Sequence, residues 1–287
     1  MKRLILSLFL LIPMLAGCAP TTAPQIVATT APVYTLTAGL CEGTGLSVTQ
    51  LVTESVSCLH DYSLSVPQVK ALESAQLVVI TGGGMEQTME DVLHGLSRVS
   101  DSSRGIAPAC DHGHTHEDDG HHHDSDPHIW LSPDNAGIMA SNICEDLIRQ
   151  FPDHEDAFRT NLTSILLRLE GLDRYAHESL ASLSCRDMIT FHDGFSYLAQ
   201  SFDLHILKAI EEESGSEASA QELIGLIGLV EEHSLPAIFT EVNGSASAAQ
   251  IVASETGIRV YPLDMAMSRD YFEAMYHNID TIKEALG

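Results

Sequence analysis

A search for metal-binding side chains near the ends of predicted strands singles out four residues: His60, His128, His192 and Asp264. Ligands of open α/β sheets gather beyond the carboxyl ends of strands, so these side chains are expected to meet there. Three imidazoles and one carboxylate form a closed tetrahedral set that suits Zn²⁺. The residues therefore predict a zinc site.

Each of these residues taken alone also fits a simpler role. An isolated histidine is often a solvated or internally satisfied imidazole, and Asp264 could cap a loop or a helix. Glu241 lies just after another predicted strand. It fits either an acceptor that orients a metal-binding histidine or an ordinary carboxylate at a strand end.

Short β-branched runs alternate with helical patterns along most of the chain. Strands are predicted at residues 26–30, 46–52, 76–81, 187–190, 205–210, 236–240 and 259–263. Helices are predicted at residues 33–40, 66–75, from glycines 82–84 to about residue 96, and at 135–150, 157–183, 195–201, 220–233, 245–256 and 271–286. This alternation favours parallel sheets covered by helices.

The helix predicted at residues 157–183 is longer than one small domain needs, at about 40 Å for a rise of 1.5 Å per residue. We therefore expect an α/β fold of two βα-alternating lobes with parallel sheets, joined by this one long rigid helix. The predicted domains are an N-terminal lobe at 26–152, the linking helix at 153–183 and a C-terminal lobe at 184–287. The metal site would lie in the cleft between the lobes.

The N-terminus has the features of an export signal. Lys2 and Arg3 precede an apolar stretch, residues 4–15, that is too short for a comfortable membrane span. Residues 15–18, Leu-Ala-Gly-Cys, resemble a bacterial lipobox, which implies a signal peptide at 1–17 and lipidation of Cys18. Residues 18–25 would form a tether to the bilayer. An ordinary secretory signal with a chance cysteine is the alternative.

A histidine-rich tract at residues 111–127 breaks every periodic pattern. It cannot build a core and is expected to be a mobile loop. It fits either an auxiliary low-affinity zinc trap or a solvated insertion with incidental affinity. Its histidines are His112, His114, His116, His121, His122 and His123.

Composition narrows the possible partners. The 287 residues contain 14 Lys and Arg against 40 Asp and Glu, a formal charge of −26 that argues against binding nucleic acid. The negative envelope favours cations instead. Five cysteines remain after Cys18, and an odd number cannot pair completely within one chain. The sequence does not determine which of these five cysteines pair: Cys41, Cys58, Cys110, Cys144 and Cys185.

The chain resembles the substrate-binding lipoproteins of zinc and manganese ABC transporters. The resemblance covers nearly all of the mature chain and rests on motifs at residues 60–62, 126–131, 191–193, 239–241 and 261–264. It implies that His60, His128, His192 and Asp264 bind the metal. Manganese-type members usually have a carboxylate where this chain has His192, so the resemblance favours Zn²⁺ over Mn²⁺.

The resemblance further implies an exported, lipid-anchored receptor that delivers Zn²⁺ to an ABC permease and its ATPase subunit. A monomer is expected. The rival functions are a surface zinc buffer or adhesin without a transporter and a zinc-dependent hydrolase. No HExxH motif occurs, and a hydrolase needs an open coordination position that four protein ligands do not leave. Glycines 82–84 lack the Lys of a phosphate loop, so we interpret them as a turn.

Overall fold

A computed structural model describes residues 25–54, 56, 59, 62–109, 126–210, 218–267 and 270–287. The predicted signal peptide, Cys18, Cys58, His60, Cys110 and the histidines of the histidine-rich tract lie outside these ranges. No helix of the described residues is long and apolar enough to cross a membrane.

The first lobe is built on a parallel sheet of four strands in the order β2-β1-β3-β4. The strands are β1 (Ile26–Ala28), β2 (Val48–Gln50), β3 (Leu77–Ile80) and β4 (Val99–Asp101). Its helices are α1 (Ala31–Leu40), α2 (Val66–Ser74) and the short α3 (Glu90–Leu93). Strand β1 is buried throughout and β3 nearly so, as expected where helices cover both faces of a sheet.

The prediction of a helix from glycines 82–84 to about residue 96 is wrong. The chain makes turns, a 3₁₀ turn at Gln87–Met89 and only then the four residues of α3. The Glu86 carboxylate accepts hydrogen bonds from the backbone N–H groups of Thr81 and Gly82, which folds the segment back onto the end of β3. Strand β4 was not predicted either, because a strand of three residues with one apolar side chain has no clear period.

Two long helices follow, α4 (Pro133–Gln150) and α5 (Glu155–Leu180). Helix α5 has 26 residues, which confirms the predicted long helix, although it begins and ends slightly earlier. Asn161 of α5 donates to the Leu40 carbonyl in the first lobe. Tyr175 donates to Asp280 in the last helix, so α5 contacts both lobes.

The second lobe repeats the plan of the first, with a parallel sheet in the order β6-β5-β7-β8. Its strands are β5 (Asp187–Thr190), β6 (His205–Ala209), β7 (Ala237–Glu241) and β8 (Arg259–Leu263). Its helices are α6 (Ser196–Ser201), α7 (Ala220–His233), α8 (Ser247–Thr256) and α9 (Tyr271–Leu286). The predicted α/β class with two parallel sheets and one long helix is therefore confirmed.

The two lobes are hydrogen-bonded to each other through Trp130, the only tryptophan of the chain. Its indole Nε1 donates to the Met265 carbonyl at 2.8 Å, and its own carbonyl accepts from the Tyr271 hydroxyl at 3.0 Å. Trp130 is fully buried. These bonds in a dry environment favour a fixed relation between the lobes, because breaking them leaves buried polar groups without partners.

Candidate metal centre

The carboxyl edge of the second sheet holds three of the residues singled out from sequence. His192 lies two residues after β5, Glu241 is the last residue of β7, and Asp264 follows β8 directly. Strands β5 and β7 are the two central strands, and the connections from them diverge. A crevice at such a switch point is where α/β sheets bind ligands.

Glu241 holds the His192 ring. Its Oε1 lies 3.1 Å from His192 Nδ1, and both side chains are largely buried. A carboxylate beside Nδ1 favours the proton on that nitrogen, so that Nε2 is the nitrogen that can donate a lone pair. The contact required for the predicted orienting role of Glu241 is thus present, while the role itself stays a prediction.

Asp126 holds the His128 ring in the same way. Its Oδ1 lies 2.8 Å from His128 Nδ1 and also accepts the His128 backbone N–H at 2.9 Å. Burial alone would raise the pKa of Asp126, but hydrogen bonds and charge from His128 hold that pKa below its ordinary value. This contact of Asp126 was not predicted from the sequence, although a carboxylate two residues before a histidine was the available signal.

The two rings meet across the interface of the lobes. His128 Nε2 lies 3.4 Å from His192 Nε2. Two nitrogens bound to one tetrahedral Zn²⁺ at 2.0–2.1 Å are about 3.3 Å apart. Because both Nδ1 atoms face carboxylates, protonation at Nδ1 is favoured in each ring, and both Nε2 atoms would then donate a lone pair to a cation between them. The spacing therefore fits a shared metal ion.

Asp264 is held in place directly after β8. It is buried, its Oδ1 accepts the Ala266 N–H at 2.8 Å, and Ala266 has a left-handed φ of 59°. Asn278 of α9 accepts from the Asp264 backbone N–H and donates to its carbonyl, both at 2.8 Å. Sequence reasoning missed Asn278, because a residue 14 positions away on a helix carries no local signal.

Gly194 allows the two imidazoles to come this close. A Cβ atom at this residue would lie 2.6 Å from His192 Cδ2, 2.7 Å from His128 Nδ1 and 2.5 Å from Met265 Cε. Only a hydrogen atom fits there. Both rings and the side chain of Met265 therefore pack directly against the backbone at Gly194.

His60, the remaining predicted ligand, lies outside the described residues. Of its described neighbours, Leu59 is buried, and its carbonyl accepts hydrogen bonds from Thr88 and from the backbone of Tyr62, each at 3.0 Å. Within the described part of the chain, no three His, Cys, Asp or Glu side chains form a metal-binding group. The structure brings His128 and His192 together, and the set of four stays a prediction.

The described cysteines are free thiols: Cys41, Cys144 and Cys185. Cys41 and Cys144 are buried, and burial raises the pKa of Cys41 to about 12. None of the three is a candidate ligand of this centre.

Known proteins share both the sequence pattern and the fold. A metal-binding protein of Treponema pallidum (strain Nichols) is 30% identical, over 85% of this chain and 81% of that protein. Zinc-binding protein AdcA of Streptococcus pyogenes serotype M3 is 26% identical over 99% of this chain, which spans only 61% of AdcA. A crystal structure of ZnuA superposes with a TM-score of 0.81 at 29% identity, covering 92% of this chain and all of that one.

The family model described as zinc-uptake complex component A, periplasmic, matches residues 26–285. That range contains both sheets, the long helix and the four predicted ligands. The chain belongs to this family of periplasmic receptors of zinc-uptake complexes.

Proposed function

We propose that this protein captures Zn²⁺ in the cleft between its lobes and delivers it to a membrane ABC permease driven by an ATPase subunit. The ligands in this proposal are His60, His128, His192 and Asp264. One observation carries it: the 3.4 Å between the Nε2 atoms of His128 and His192, each ring held at Nδ1 by a buried carboxylate.

The donor set selects the metal. Imidazole nitrogen suits borderline-soft Zn²⁺, whereas Mn²⁺ prefers sites rich in carboxylate oxygen. Four protein ligands would complete a tetrahedral shell and leave no place for an activated water. The site is therefore suited to binding and release, not to hydrolysis, and zinc is its cargo.

Acidity should weaken this binding. Ligating histidines must be neutral, so protons compete with zinc for the same nitrogens. The affinity for zinc is expected to fall from neutral pH to near pH 5, below the ordinary pKa of histidine. Equal affinity at the two pH values would contradict coordination by imidazoles.

We further propose that the protein acts outside the cytoplasm as a lipid-anchored monomer. The lipobox-like residues 15–18 support cleavage before Cys18 and acylation of its thiol. The negative charge of the chain would attract the cation while the anchor keeps the receptor beside its permease. The histidines of residues 111–127 would add a weak, multivalent zinc trap near the cleft.

The test is zinc stoichiometry and affinity, measured by chelator competition on the mature domain lacking residues 111–124. We expect one tight site that His192→Ala abolishes. His94→Ala is the matched control, because the His94 side chain is 76% exposed and forms an ion pair with Glu90, four residues earlier.

The same experiment separates the rival functions. Loss of all tight binding on removal of residues 111–124 would overturn the cleft receptor and leave a zinc buffer based on the histidine-rich tract. Zinc-dependent hydrolysis by the protein would contradict a closed, four-ligand site.

A further inference from the structure

We propose that Asp126 is a positioning residue through which zinc affinity depends on contact between the lobes. The inference rests on the proposed function, since it concerns the same zinc site. Its basis is that the two oxygens of one buried carboxylate serve different lobes. Oδ1 holds His128, while Oδ2 accepts the backbone N–H of Ser196 at 3.1 Å.

Ser196 is the first residue of α6 in the second lobe, four residues after His192. Asp126 therefore links the ring of His128 to the segment that carries His192. Its side chain is only 6% exposed, so both hydrogen bonds form away from water. A carboxylate fixed at both oxygens cannot rotate, and the His128 ring is held in one orientation and one tautomer.

A second hydrogen bond fastens the first lobe to the same turn of α6. The Tyr197 hydroxyl accepts the Ala109 backbone N–H at 3.1 Å. Residues 109 and 126 belong to the first lobe, whereas residues 196 and 197 belong to the second lobe, where they follow strand β5. We call this first turn of α6, residues 196 and 197, the α6 seat, because the first lobe contacts it through both hydrogen bonds. A displacement of the α6 seat would change the position of Asp126 and, through it, the orientation of the His128 ring.

The contact of Glu241 with His192 provides a comparison for Asp126. It holds His192 from β7, the strand next to β5 in the same sheet, so that contact lies within one lobe. The two carboxylates therefore offer a matched pair. Both orient a metal-binding imidazole, but only Asp126 is expected to make affinity sensitive to changes at the α6 seat.

Two double-mutant cycles on zinc affinity test the inference. In the first, Asp126→Asn removes one acceptor without changing the size of the side chain, and it is expected to weaken zinc binding about 10- to 100-fold. In a His128→Ala background the same change should cost less than about threefold, because its effect passes through His128. A full loss in both backgrounds would show a merely structural role and overturn the inference.

The second cycle tests the link between the lobes. Tyr197→Phe removes the hydroxyl that holds Ala109, and it should weaken zinc binding and speed zinc release in the otherwise native chain. In the Asp126→Asn background this effect should largely disappear, whereas with Glu241→Gln it should remain and add. Equal effects of Tyr197→Phe in all three backgrounds would contradict the link.

The absorption spectrum of bound Co²⁺ adds a readout of geometry, since Asp126→Asn should reduce the intense bands of a tetrahedral site. If Asp126→Asn does not fold, the Tyr197→Phe chain alone decides, and native affinity and release rate in it refute the coupling. The proposed function fails separately: if the native chain has no tight site that His192→Ala removes, zinc is not bound in this cleft at all.

Discussion

Replacing Gly194 by alanine should damage the zinc site although no predicted ligand is replaced. The new Cβ would lie 2.6 Å from His192 Cδ2 and 2.7 Å from His128 Nδ1, whereas ordinary contacts begin near 3.4 Å. The terminal methyl of Met265 can move aside at little cost. The rings are held by Glu241 and Asp126, so they or the Gly194 backbone must shift.

The required shift sets the magnitude. Restoring ordinary contact takes displacements of about 0.7 to 0.8 Å, while zinc–ligand distances tolerate only about ±0.2 Å. The match between the 3.4 Å ring spacing and the edge of a zinc tetrahedron would be lost. We expect zinc affinity to fall roughly 100-fold, about 2.8 kcal/mol at 1.4 kcal/mol per tenfold change.

Chelator competition with Zn²⁺ measures this loss, and thermal unfolding of the zinc-free protein reports whether the variant folds. Gly228→Ala is the control, because a Cβ at that exposed residue of α7 meets no atom within 4 Å. It should keep native zinc affinity and gain up to about 1 kcal/mol of stability from better helix propensity. If a folded Gly194→Ala chain binds zinc as tightly as the native one, the two rings do not share the metal in the way argued above.

Three further predictions concern stability and reactivity. Ser234→Gly should raise the free energy of unfolding by about 1 kcal/mol, because Ser234 has a left-handed φ of 52°. Ser254→Gly inside α8 should lower the free energy of unfolding by roughly half that amount. Chemical denaturation measures both changes and distinguishes their signs. Burial raises the pKa of Cys41 to about 12, so Cys41 should resist alkylation near pH 8 in the native protein, whereas the half-buried Cys185 should react. Mass spectrometry of labelled peptides measures the order of modification, and modification of Cys41 before Cys185 would contradict this prediction. Burial raises the pKa of Glu86 above its ordinary value, so the folded state binds this proton more readily than the unfolded state does. The free energy of unfolding of the native chain, relative to Glu86→Gln, should therefore decrease as pH rises from about 4.5 through the raised pKa. Denaturant titrations in which this difference increases with pH would contradict the prediction.

Local pattern was sufficient for most elements of the fold. The predicted bounds match the structure for β5, α7, β8 and α9. Each has a clear period, and α7 and α9 also have a capping residue, Ser219 or Asp270. The pattern failed where a distant partner decides the backbone. Glycines 82–84 lead into turns instead of a helix because Glu86 bonds back to the end of β3.

The candidate site shows the same division. Residue types, together with the places of His192 and Asp264 after strands, were enough to single out these two residues and His128, since residue type and strand ends depend on local sequence. The residues that contact them could be predicted only in part. Glu241 was found by its place at a strand end, whereas Asn278 and the Asp126–Ser196 bond were not, because they depend on which segments meet across the fold.

The alternation of strands and helices, the long helix and the candidate metal ligands follow from local sequence, because backbone preference and burial period depend on neighbours along the chain. The strand orders, the contact of the first lobe with α6 and the 3.4 Å between two imidazoles that are 64 residues apart arise only when the chain folds. A metal ion responds to distances of a few tenths of an ångström. Such distances are set by hydrogen bonds such as the one from Trp130 to Met265, between residues that only folding brings together.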